Sequence, residues 1–154
     1  MDNASTTLGD LPEQFPSVRW IRSPENMGWG DAVNRGYAAS RGEILVLLNP
    51  DTELLPGSLA ATRLFFVERD RGDMGAVGGR LLFSDGSEQP SCGPFPHLVN
   101  LIWRLPLKPP KRRYYLRKFD SPQNVDWVTG AFLAVRRSIF AELGGMDSRF
   151  FLLL

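Results

Sequence analysis

One cysteine and one histidine are all that the 154 residues hold of two side chains much used for metal and nucleophile chemistry. Cys92 cannot close an internal disulfide alone, so nothing asks for an oxidising compartment. His97 lacks the partners that a zinc site or a His-based triad needs. No apolar run approaches the roughly 20 residues of a membrane span. The start, Met1-Asp2-Asn3, is acidic and polar and lacks the features of a secretory signal. A cytoplasmic protein is expected.

Acid is missing where base is plentiful. No Asp or Glu occurs between Glu88 and Asp120, and seven Lys or Arg lie within Arg104 to Lys118. Residues 1–88 carry eight basic and thirteen acidic side chains, whereas residues 89–154 carry ten and four. Such asymmetry calls for an anionic neighbour. With Trp103, Tyr114 and Tyr115 in or beside the stretch, residues 103–118 have the chemistry of a peripheral contact with anionic headgroups at the inner face of the cell membrane. A solvated loop explains the same composition. The acidic first half and the lack of any nucleic-acid motif argue against DNA or RNA as a partner.

What is present alternates. Val18 to Arg22 reads as a short strand, Gly30 to Ser40 as a helix ended by Arg41-Gly42, and Glu43 to Leu48 as a strand covered on both faces. Gly57 to Arg71 reads as a helix with Leu59, Leu64, Phe65 and Val67 as core candidates. Met74 to Phe83 reads as a glycine-interrupted strand, closed by a turn at Ser84-Asp85-Gly86. Seven of the twelve prolines fall between Ser87 and Asn124, which predicts an irregular basic excursion over 87–124. Order returns with a strand over Val125 to Arg136 and a short helix from Ser138 to Leu143. The pattern predicts one α/β domain over 1–154, with a largely parallel sheet.

Ligands of open α/β sheets bind beyond the C-terminal ends of strands. There, Asn49-Pro50-Asp51-Thr52 follows five aliphatic residues. Asp51 offers a carboxylate and Asn49 an amide oxygen, ligands suited to Mg²⁺ shared with substrate phosphates. A strand-to-helix turn whose Asn and Asp bond their own backbone explains the same residues and, on chemistry alone, is the commoner use of them. Asn26-Met-Gly28-Trp-Gly30 places two glycines before a helix, where N–H groups can face an anion. It is no dinucleotide fingerprint, since Val33 stands at the third glycine position, and no P-loop Gly-Lys-Ser/Thr occurs. Asp126 to Ala131 sets Trp127, Thr129 and Gly130 in a strand, and glycine there marks a bulge or a close approach.

Taken in order, "DNAST", "NMGWGDAVNRGYAASRGEILVLLNPDTELLPGSL", "GAVGGRLLFSDGS", "DWVTGAFLAVRR" and "LGGMDSRFF" resemble family 2 glycosyltransferases of the GT-A fold. The nearest likeness is to the rhamnosyltransferase-like branch that builds bacterial surface polysaccharides. The resemblance spans all but the excursion. It implies an αβα sandwich, here incomplete, and a divalent metal, Mg or Mn, with Asp51 as ligand and Asn49 as auxiliary. It puts Asp2 near the base or ribose of a UDP- or dTDP-linked sugar, and Asn26, Gly28 and Asn34 beside the diphosphate. Trp127, Thr129, Gly130 and Ala131 would line the donor sugar and a lipid-linked or glycan acceptor.

The implied chemistry is inverting transfer, with rhamnose as the sugar this branch suggests. Relatives carry a strand and helix before the "DNAST" block and a catalytic base after the "RFF" block, so the resemblance implies a chain cut at both ends. On that reading the base lies beyond Leu154, no residue here is assigned to it, and the chain alone does not turn over. A second reading is a non-catalytic remnant that at most binds nucleotide.

Overall fold

The computed structural model describes residues 1–68, 74–95 and 121–151. The chain forms two compact units, one of Met1–Leu45 with Arg136–Leu154 and the other of Val46–Val135.

The first unit is helical. A single turn, α1 (Leu11–Gln14), carries Pro12 as its second residue, where the missing N–H costs nothing. Helix α2 (Trp29–Ala39) opens on Gly28 and closes at Ser40, which turns extended and returns its hydroxyl to the Tyr37 carbonyl at 2.8 Å. The stop comes just ahead of the expected Arg41-Gly42 because Ser40 already caps the open carbonyl. Helix α4 (Arg137–Glu142) docks on this end of α2. Arg137 stacks 4.7 Å over the Tyr37 ring and donates to the Gly42 carbonyl at 2.7 Å. Phe140, 3% exposed, meets the other ring atoms of Tyr37 with centroids 4.8 Å apart. The strand expected over Val18 to Arg22 shrinks to one parallel bridge between Asp2 and Arg22. Val18 is exposed and its N–H turns back to the Phe15 carbonyl at 3.0 Å.

The second unit carries the strands. β1 (Ile44–Leu48), β2 (Ala76–Gly78) and β7 (Phe132–Arg136) form a sheet in the order β1-β7-β2. β3 (Leu81–Leu82) pairs with β4 (Glu88–Gln89), and β5 (Cys92–Gly93) with β6 (Trp127–Val128). β4 and β5 lie in the described part of the 87–124 stretch, residues 87–95 and 121–124, and residues 96–120 lie outside the described residues.

The α/β class holds, and strand direction refines it. The β2–β7 ladder, Ala76 to Val135 through Gly78 to Leu133, is antiparallel, as are β3–β4 and β5–β6. The strand-helix-strand crossover from β1 to β2 signals a parallel sheet when the joined strands are neighbours, but β7 sits between them. Its edge position among the described strands also leaves β1 less covered than its aliphatic run suggests. Leu45 is buried and Leu48 is exposed.

Helix α3 (Ser58–Glu68) buries Phe66 at 2% exposure, while Leu59, Leu64 and Val67 are all at least half exposed. Apolar residues lie nearly all round this helix, so spacing could not choose its inner face, and packing did. The strand expected over Met74 to Phe83 is broken between β2 and β3 for a reason that its glycines show. A Cβ at Gly79 would lie 2.8 Å from the Phe132 ring, and one at Gly78 only 2.6 Å from Val128. The backbone bends there to admit those side chains.

Candidate functional site

In the second unit, the end of β1 is fixed by one acceptor. The Ala131 carbonyl takes the Asn49 N–H at 3.1 Å and the Thr52 hydroxyl at 3.3 Å. The Thr52 N–H closes back on the Asn49 carbonyl at 3.1 Å, which makes Asn49-Pro50-Asp51-Thr52 a β-turn with proline at its second position. Asp51 projects exposed at the third position. Among the described residues its carboxylate has no hydrogen bond or ion pair.

The alternative of Asn and Asp side chains bonding their own backbone is thus not what holds the turn. Main-chain groups and Thr52, a residue with no distinguishing mark in the sequence, hold it. A hard cation takes carboxylate and amide oxygens, commonly with substrate phosphates completing its shell. Asp51 and Asn49 fit that donor set, and among the described residues no cluster of three or more His, Cys, Asp or Glu offers another.

Ala131 belongs to the second predicted group. The strand expected over Val125 to Arg136 splits at Thr129–Ala131, where the chain leaves one sheet for another. The Thr129 N–H is fixed on the Ser91 carbonyl at 2.8 Å, and the Trp127 indole N–H on the Pro94 carbonyl at 3.0 Å. A Cβ at Gly93 would meet the Trp127 ring at 2.8 Å, so glycine there seats the indole. The structure therefore brings Trp127, Thr129, Gly130 and Ala131 into one connection and ties it to Asn49 and Thr52.

The first unit holds Asp2, Asn26, Gly28 and Asn34. Asp2 is 6% exposed, and its main chain pairs with Ile21 and Ser23. Its Oδ1 accepts the Ser5 N–H at 3.0 Å, and Oδ2 lies 3.2 Å from the Arg22 guanidinium. Bonds from the Ser5 hydroxyl and N–H, helped by Arg22, hold this carboxyl below the usual carboxylate range. Among the described residues Asp2 Oδ2 is the buried side-chain oxygen without a hydrogen bond. Ser5 and Arg22 line an open cleft of about 470 Å³ with Ala4, Ser23 and Pro24. Ala4 sits at φ 65°, the one non-glycine residue in the left-handed region among those described. Such strain persists where surroundings impose it, often at binding sites.

Asn3 knots this block to the glycine loop. Its amide donates to Asn26 Oδ1 at 2.8 Å and to the Gly28 carbonyl at 3.1 Å, and its oxygen accepts the Met27 N–H at 3.0 Å. Its place inside "DNAST" was the available signal, and only the partner loop reveals its use. The idea that both glycines offer N–H groups to an anion is narrowed. The Gly28 N–H already meets Asn26 Oδ1 at 3.0 Å and the Trp29 N–H meets the Phe151 carbonyl at 2.9 Å. Asn34 lies two turns along α2 and directs both polar atoms at the Met146 backbone, each at 2.8 Å. The basic stretch 103–118 lies outside the described residues.

Set beside known proteins, residues 1–144 match the sequence model described as Glycosyl transferase family 2. The chain is 32% identical, over 98% of its length, to an N-acetylglucosaminyl-diphospho-decaprenol L-rhamnosyltransferase of Mycobacterium tuberculosis. It spans 55% of that relative, about half its length. It is 33% identical, over 91% of its length, to the O-antigen biosynthesis protein RfbC of Myxococcus xanthus, of which it spans 11%. A Trichomonas vaginalis protein named as a dolichyl-phosphate beta-glucosyltransferase is 34% identical over 32% of the chain. No solved structure matches.

Proposed function

We propose, from the premise that this chain belongs to the family 2 glycosyltransferases with their GT-A α/β fold, that it binds a UDP- or dTDP-linked sugar and serves its inverting transfer to a lipid-linked or glycan acceptor. Rhamnose is the sugar favoured, because a relative 32% identical is named for rhamnosyl transfer to a decaprenol-linked substrate. The observation that carries the reading is the Asn49–Thr52 turn, anchored on Ala131 and presenting at the end of β1 an exposed Asp51 that is unpaired among the described residues.

In this reading Asp51, with Asn49, holds Mg²⁺ or Mn²⁺ against the diphosphate. The cation, when bound, offsets charge on the departing nucleoside diphosphate. Asp2 and the cleft beside Ser5 and Arg22 receive the nucleoside, and the 26–28 loop flanks the diphosphate. Trp127 and the Thr129–Ala131 connection border the sugar. An acceptor hydroxyl attacks the anomeric carbon opposite the leaving group and loses its proton to a carboxylate.

The test is a chimera in which this chain replaces the matching part of the mycobacterial relative. It should move labelled sugar from a nucleotide donor to a polyprenyl-linked acceptor, with Asp51→Ala abolishing transfer. A folded chimera that binds nucleotide yet leaves all label on the donor would contradict the reading.

No helix among the described residues is long and apolar enough to cross a membrane. Residues 103–118 are proposed to supply a peripheral contact instead. Each Lys or Arg near an anionic bilayer contributes roughly 1 kcal/mol, so seven suffice to hold the protein there at low salt. Co-sedimentation with phosphatidylserine vesicles should be strong at low salt and lost at high salt. Equal pelleting with neutral vesicles would remove the electrostatic account.

A further inference from the structure

The first two turns of α2 spend most of their distinctive chemistry on one short segment, Gly145 to Phe151. The Trp29 N–H donates to the Phe151 carbonyl at 2.9 Å. Gly28, at φ 84°, leaves room for that carbonyl, which a Cβ would approach to 2.8 Å. A Cβ at Gly30 would crowd the Asp147 carbonyl at 3.4 Å. The Ser148 hydroxyl donates to Asp31 Oδ1. Asn34 donates to the Met146 carbonyl and accepts the Met146 N–H, both at 2.8 Å. Gly145, at φ 83°, sits so close that a Cβ would lie 2.5 Å from Asn34 Oδ1.

An amide that pairs with both main-chain groups of a residue 112 positions away has the geometry of a tie. At its other end the tie reaches the 26–28 loop. The Gly28–Trp29 backbone is pinned between Asn26 Oδ1 and the Phe151 carbonyl, and Asn3 fixes the loop to the Asp2 block. If residues 145–151 leave, the Trp29 N–H loses its partner and the left-handed Gly28 loses its packing.

We propose that Asn34 and Asp31 are positioning residues, which dock Gly145–Phe151 on α2 and thereby set the loop that flanks the nucleoside diphosphate. Segment docking and nucleotide binding are then coupled, and coupling free energies act equally in both directions. The proposal rests on the donor-site reading above. It departs from the family resemblance, which sets Asn34 beside the diphosphate, in giving Asn34 no contact with the ligand.

The experiment pairs amide hydrogen exchange with titration of UDP in the presence of Mn²⁺, for the chain and for Asn34→Ala, Asn34→Asp, Gly145→Ala and Ser148→Ala. The loss of one or two hydrogen bonds should speed exchange at Met146 and Trp29 by about threefold or more. UDP affinity should fall in step for Asn34→Ala, Gly145→Ala and Ser148→Ala alike. Asn34→Asp, which keeps the acceptor for the Met146 N–H, should fall between. In the unsubstituted chain, UDP should slow exchange at Met146.

Ser148→Ala decides the matter if the others fail to fold, since Ser148 is exposed. Normal UDP binding by Ser148→Ala and Gly145→Ala, with loss only in Asn34→Ala, would make Asn34 a ligand and overturn the proposal. Failure of the donor-site reading looks different, because the unsubstituted chain then binds neither UDP nor dTDP, and both fall together.

Discussion

Replacing Asp51 by alanine is expected to remove the metal-dependent part of nucleoside-diphosphate affinity while leaving stability unchanged. The side chain is exposed and, among the described residues, unpaired. Surface substitutions of that kind usually stay within about 0.5 kcal/mol. The turn does not depend on it either, since the Asn49 N–H, the Thr52 N–H and the Thr52 hydroxyl make the bonds that hold it. What the variant loses is the carboxylate, the stronger of the two oxygen donors for a hard cation. Affinity with Mn²⁺ should drop by about tenfold or more, or about 1.4 kcal/mol, towards the value measured with chelator. Asn49→Ala should lose less, because a neutral amide oxygen attracts the cation more weakly. Glu53→Ala, exposed two residues on, should change nothing.

Phe66→Ala should have the opposite profile, a large loss of stability without any specific effect on the metal. Phe66 is 2% exposed and is the buried side chain of α3, the helix that follows the Asn49–Thr52 turn. Removing a buried phenyl ring costs about 3–5 kcal/mol, the transfer term plus the cavity left behind. Urea unfolding should show a lower midpoint with an unchanged slope. Leu64→Ala and Val67→Ala, both at least half exposed, should cost far less. If Leu64 or Val67 proved as costly as Phe66, the helix would face the other way.

These two positions also divide what local sequence can say from what it cannot. The five aliphatic residues of β1 and the polar tetrad after them marked a strand and its end without any outside information. So did the spacing of α2, which runs from Trp29 to Ala39 as its pattern suggests. α3 carries apolar side chains on every side, and only the partners in the fold choose Phe66 over its neighbours. The breaks at Gly79 and at Thr129–Ala131 depend on side chains and strands far along the chain, Phe132 and Val128 for one, Ser91 and Asn49 for the other.

The candidate site follows the same rule. Asp51 and Asn49 stand out by residue type and place as oxygen donors at a strand end, but a plain turn uses the same residues, and it is the resemblance that singles them out as ligands. Asn34 does not stand out in that way. The resemblance sets it beside the diphosphate, while its bonds go to Met146, which nothing in the intervening sequence announces. Asn3 and Thr52 are common turn residues whose value lies in the partner loop each one reaches.

The most direct measurement is an equilibrium titration of UDP and dTDP into this chain, once with Mn²⁺ and once with chelator. The account predicts saturable binding of at least one nucleotide that strengthens about tenfold or more with the metal, with the gain absent in Asp51→Ala. Binding of equal strength with chelator, or a metal-dependent gain that survives in Asp51→Ala, would contradict it.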